Sequence, residues 1–125
     1  MVYKVHHENG HGASVLTHEG PVDTAEIAAS RVDLKSVANA NNAKGAIIDI
    51  RAAQIEAEPV DIIVNVEALV GDLLPGARLA FVSREEDQGI VSMIVTTVAH
   101  SSGRRVIAFT DIGAALDWIN AVPAR

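Results

Sequence analysis

No cysteine occurs among the 125 residues. Its absence excludes disulfide bridges and thiolate metal sites, and leads to the expectation of a reducing, cytoplasmic setting. Aromatic residues are scarce: one Trp, one Tyr and two Phe. With 49 % of residues hydrophobic, the core must be aliphatic. Positive charge is in the minority, 10 Lys and Arg against 16 Asp and Glu, for a formal net charge of −6. Nucleic-acid binding rests on cations that neutralise phosphates, so it is set aside. Long hydrophobic runs are also missing. The most apolar stretch, Val60 to Leu74, is interrupted by Asp61, Asn65, Glu67 and Asp72, whereas a membrane span needs about 20 predominantly apolar residues. The opening Met1-Val2-Tyr3-Lys4-Val5-His6-His7 has no apolar run behind a basic start, so no signal peptide is expected.

What remains is a chain of one-domain length, residues 1–125, with short alternating elements. Val2–Glu8 and Ala13–Gly20 read as two strands around Asn9-Gly10-His11-Gly12, a hairpin signal. Period-2 alternation puts Tyr3, Val5, Leu16 and His18 on one face. Asp23 opens a helix, with Glu26 three residues on as in a capping box, and the Asn-rich segment 39–45 closes it. Gly45–Ile50 reads as a strand buried on both faces. A helix then runs from Pro59 to about Leu74, where Pro75-Gly76 stops it. Ala77–Ser83 is a strand, Gly89–Ser102 a helix, Arg104–Phe109 a strand, and Asp111 caps a last helix through Asn120. The predicted fold class is α/β: an N-terminal β-hairpin, then successive β-α units, forming a mainly parallel five-stranded sheet covered by four helices.

Three segments stand out beside the element order: Gly45-Ala46-Ile47-Ile48-Asp49-Ile50-Arg51, Gly89-Ile90-Val91-Ser92-Met93, and Val106–Asp111 followed by Ala114-Ala115-Leu116-Asp117-Trp118-Ile119. In these segments and in its element order the chain resembles the SpoIIAA-like family, also described as STAS-like or STAS/SEC14-type domains. The resemblance implies a module used for protein–protein signalling. Its anti-sigma antagonists carry a phosphorylatable serine after the third strand. Here that loop, Arg51 to Glu58, contains no Ser or Thr, so a phosphoserine switch is not carried over.

Candidate sites are few. His6, His7, His11 and His18 cluster in sequence, but neighbouring strand residues point to opposite faces, and no zinc motif accompanies them. They read as ordinary surface histidines, with no metal expected. His100 beside Ser101 and Ser102 reads as a helix C-terminal cation rather than half of a dyad. Glu85-Glu86-Asp87 reads as a solvated acidic turn, and Trp118 as an anchor on the sheet. Ligands of open α/β sheets sit outside the carboxyl ends of parallel strands, which brings Asp49, Arg51, Ser83 and Arg84 forward as a speculative ligand-binding cluster. The bland alternatives are an Asp49–Arg51 ion pair and, for neighbouring Asp111, a helix cap.

The helices 59–74 and 89–102 are apolar nearly all round, whereas a helix covering a sheet needs one stripe. Three explanations stay open: burial of the helices against one another, a homodimer interface through Val64, Ile90, Met93 and Ile94, or a lipid-accepting groove. The expected function is a non-enzymatic interaction or regulatory module, homodimeric, with no cofactor; the alternative is a small-molecule or lipid-binding carrier. An enzyme ranks last, because nothing in the sequence places a general base beside a nucleophile.

Overall fold

A computed structural model gives the fold of residues 2–121. In chain order the elements are β1 (Tyr3–Glu8), β2 (Ala13–Val22), α1 (Thr24–Ala40), β3 (Gly45–Ile55), α2 (Pro59–Asp72), β4 (Arg78–Val82), a 3-10 turn (Glu85–Asp87), α3 (Gln88–Ser102), β5 (Val106–Phe109) and α4 (Ile112–Asn120). The α/β class is as expected. The strand order in space is the order in sequence, β1-β2-β3-β4-β5, with β1 antiparallel to β2 and the other pairs parallel.

That order determines where the helices go. Each parallel crossover has the same right-handed sense and steps the same way across the sheet, so α1, α2 and α3 all fall on one face. Only α4 returns beneath the other face, against β2, β3, β4 and β5. Strand alternation serves both layers. Leu16, Ile48, Leu79 and Phe81 face the three-helix side, while Val15, Ile47, Ala80 and Val82 face α4 with Ala115 and Ile119. Trp118 packs in this second layer, with Phe109 at 5.7 Å between ring centroids and Arg78 over its ring at 5.0 Å, as an anchor should.

Several local expectations need correction. The hairpin does not turn on Asn9-Gly10 alone: His11 and Gly12 N–H both donate to Glu8 O (3.1 and 3.0 Å), and the left-handed residue is Gly12 at φ 66°. The capping box is half formed. Asp23 accepts from Glu26 N–H at 2.9 Å, but the Glu26 side chain turns inward instead of back to the cap. Strand β3 is five residues longer than the apolar run suggested, ending at Ile55, and β2 reaches Val22. Beyond Asp49↔Val82 the sheet has lost β4 as a neighbour, so Glu19–Val22 and Ala52–Ile55 project together as a two-stranded arm.

Candidate functional site

Helix α2 lies between α1 and α3 and its backbone stands off the sheet. Its C-terminal half plugs the gap with Val66, Leu69, Val70 and Leu73. Its N-terminal half does not, and leaves a cavity of about 420 Å³. The floor is Leu16, Ile48 and Phe81 on the sheet, the roof is Ile62, Val66 and Leu69 on α2, and the projecting arm supplies Val22, Ala53 and Ile55. Ile90, Val91 and Ile94 of α3 close the remaining side.

A β-bulge makes this wall possible. Thr17 pairs with Asp49 but Glu19 pairs with Ala52, so Ile50 and Arg51 together oppose His18. An extra residue in one strand switches which positions face a given side. Ile48 and the first bulge residue, Ile50, face the cavity; after the bulge Ala53 and Ile55 do. The same step turns Arg51 outward onto Asp49.

At the inner end of the cavity sits a buried polar relay that the sequence reading missed. His18 Nδ1 lies 2.7 Å from Glu26 Oε2, and His18 Nε2 lies 3.2 Å from Ser30 Oγ. The Ser30 hydroxyl also lies 3.1 Å from Ile27 O. His18 is 3 % exposed and Glu26 and Ser30 are 1 % exposed. His18 is therefore not a surface histidine: its even strand position points it inward beside Leu16, and the first two turns of α1 bring Glu26 and Ser30 over it. Tyr3, on the same face, packs its ring 5.8 Å from the His18 ring at a 43° tilt and donates its hydroxyl to Asp33. That hydrogen bond holds the Tyr3 phenol above its ordinary pKa.

Contrary to the sequence expectation, an imidazole does stand beside a hydroxyl, with a carboxylate behind it. Ser30 lies inside α1, however, where the backbone N–H groups close helical turns. A nucleophile of this kind works with free N–H donors aimed at the developing oxyanion, and a helix interior does not offer them.

The expected strand-end cluster divides into separate pairs. Arg51 binds Asp49 through Nε (3.0 Å) and Nη2 (2.8 Å), which raises the Arg51 pKa against a lowering by burial. Ser83 is fully buried, accepts from Gln88 Nε2, and its N–H donates to Phe109 O at 3.0 Å. Arg84 pairs with Asp87 at 3.0 Å and Glu86 at 3.6 Å. Only Arg84 of the four is on the cavity wall. Asp111 caps α4 through Ala114 N–H at 3.0 Å.

The other histidines have separate local roles. His6 meets Glu8 and His7 meets Ser14, each at 2.8 Å, and among the described residues no three His, Asp or Glu side chains gather to hold a metal ion. His100 lies in the last turn of α3, whose end is Gly103 in the left-handed conformation. Ser101 donates to Glu67 and Ser102 to Val98 O, so neither meets His100.

Of the four expected interface residues, Val64 (58 % exposed) and Met93 (47 %) lie on the outer surface, and Ile90 (49 %) is half exposed where it also touches the cavity. Ile94 does not. It is 5 % exposed and faces the cavity, because residues 91, 94, 95 and 98 make the inward stripe of α3. Its assignment to an interface is corrected on that ground.

Among the described residues no helix is long and apolar enough to cross a membrane. Compared with models of protein families, with curated proteins and with solved structures, the chain matches none at a significant level.

Proposed function

We propose that this domain is a non-enzymatic binding module that takes a small, largely apolar molecule into the cavity beneath α2. The observation that carries this reading is the cavity itself. Its volume of about 420 Å³ falls in the range of small-molecule pockets, roughly 300–1,000 Å³, and its walls are aliphatic apart from a few polar groups. A core of this chain's composition would bury more apolar surface by letting α2 settle onto the sheet. Instead α2 packs between α1 and α3, and the space beneath its N-terminal half stays open. Of the two functions expected from the sequence, the carrier alternative is therefore the better supported.

Filling the space tests it. Ile62→Trp and Ala53→Phe place ring volume in the cavity from its roof and its arm wall. Both variants are expected to remain folded by circular dichroism and to bind the neutral dye phenylnaphthylamine at least about tenfold more weakly than the wild type, the loss of one well-buried apolar contact or more. Unchanged dye affinity in both would end the cavity reading.

A second reading, self-association, is supported by the outer faces of α2 and α3. Val60 and Val64 recur one helical turn apart, beside Ile90 and Met93, and all four are 47–64 % exposed. Two-fold pairing lets one such patch cover itself. Light scattering at micromolar concentration is expected to give twice the single-chain mass of 13.2 kDa, and Val64→Glu with Met93→Glu to return the single-chain value without unfolding. Ile94→Glu is expected to unfold the domain instead, since it puts a carboxylate into the core. A wild-type mass of one chain would remove the dimer. The SpoIIAA-like resemblance and its signalling role are part of this second proposal and rest on element order and the segments named above.

A further inference from the structure

We infer that the occupant of the cavity is a monocarboxylate with a single apolar body, and that Arg31 of α1 reads its head. This rests on the cavity reading above, and it follows from asking which polar groups on the wall are already engaged. His18 is bound to Glu26 and to Ser30, and the Ser30 hydroxyl also meets Ile27 O. Asn65 accepts from Arg31 Nε at 3.1 Å through Oδ1 and donates to Asp61 O at 2.9 Å through Nδ2. Arg84 and Asp87 neutralise one another. Arg31 is different. It lines the cavity, its only protein hydrogen bond among the described residues is the one from Nε to a neutral amide, and no carboxylate lies within 4.0 Å of it there.

A guanidinium has five N–H donors, and its fork matches a carboxylate with two parallel hydrogen bonds. With Nε held by Asn65, the Arg31 side chain is fixed at the seam of α1 and α2, and its terminal nitrogens remain for a ligand. In a chain with 16 acidic residues, a cation on an apolar wall with no acidic partner among the described residues is the strongest recognition element that they give the cavity. Gln54 of the arm also lines it. One unpaired cation among the described residues of the wall fits a single negative charge better than a phosphate dianion. The inner end of the cavity is apolar around a relay whose members satisfy one another, so it takes the body and not the head. The volume, toward the lower end of the small-molecule range, suits one chain or a compact ring rather than a two-chain lipid.

Decanoate and octyl phosphate below their micellar concentrations, and decanol below its solubility limit, are titrated against dye-loaded wild type and Arg31→Gln. Wild type is expected to bind decanoate at least about tenfold tighter than decanol, the worth of a charge-assisted hydrogen bond. Arg31→Gln is expected to bring decanoate down to the level of decanol while leaving decanol unchanged, which also reports that the variant is folded. Equal affinity of wild type for decanoate and decanol, or a preference that survives in Arg31→Gln, overturns Arg31 as the reader while leaving the cavity reading in place. Octyl phosphate binding tighter than decanoate overturns the monoanion. If none of the three displaces the dye and the dye itself does not bind, the cavity reading fails, and this inference with it.

Discussion

Glu26→Ala is expected to lower the stability of the domain by about 3 kcal/mol, the scale for removing one partner of a buried, charge-assisted contact. Glu26 and His18 are both almost fully enclosed, so water cannot replace the lost oxygen, and the imidazole N–H is left facing apolar side chains. The neighbouring cap residue gives a calibration. Asp23 is exposed and offers one hydrogen bond to the first turn, and Asp23→Ala should cost only about 1 kcal/mol. A double variant, His18→Leu with Glu26→Leu, should lose much less than the sum of the single changes, because neither leaves an unpaired group behind. Urea unfolding with unchanged slope is the measurement. A Glu26→Ala loss no larger than that of Asp23→Ala would mean that the contact contributes nothing net.

Gly45→Ala should have an effect of similar size for a different reason. A Cβ on Gly45 would lie 2.6 Å from the carbonyl oxygen of Arg78 and 3.0 Å from two carbons of Ile119. The first obstacle is backbone, on the strand paired with Gly45, and cannot swing away. Relief requires β3 and β4 to part at their first residues and α4 to lift. Overpacking costs typically 1–3 kcal/mol, and about 3 kcal/mol is expected here because two layers are disturbed. Gly71→Ala is the control. It lies in α2 with open space around it and should stabilise by roughly 0.5–1 kcal/mol. Thermal midpoints compared across the pair decide it, and a neutral Gly45→Ala would show that the close approach is absent.

Much of the fold was legible because its signals are local. The Asp111 cap, the Pro59 start of α2, the Gly103 stop of α3 and the apolar strands all announce themselves within a few residues. So did the Asp49–Arg51 pair, two positions apart on one strand. The site was less legible, since it is made of departures from regularity. A bulge leaves no periodic trace, and Arg51-Ala52-Ala53-Gln54-Ile55 has too little alternation to mark an arm. Glu26 looked like a capping residue because its spacing from Asp23 fits that role equally well; only the placing of β2 beneath α1 sends the side chain to His18. The surplus of apolar residues on α2 and α3 was correctly noticed but carried three meanings. The fold divides them: α2 is flanked by helices and roofs a cavity, which accounts for most of the surplus, and the residues left outside are Val60, Val64, Ile90 and Met93.

The sequential strand order also bears on how the chain is made. Every strand pairs with the one synthesised just before it, so sheet and three-helix face can assemble in step with translation, unit by unit. The opposite face has no such provision. Ala13, Val15, Ile47, Ala80 and Val82 wait for Ala115 and Ile119, which lie on α4, the nine residues Ile112–Asn120 that follow the fifth strand. Until that helix has left the ribosome, the nascent domain presents a flat aliphatic sheet to its surroundings. The interval in which this domain is most exposed to misassembly or chaperone capture therefore falls between the making of β5 and the folding of Ile112–Asn120, when five strands are already in place.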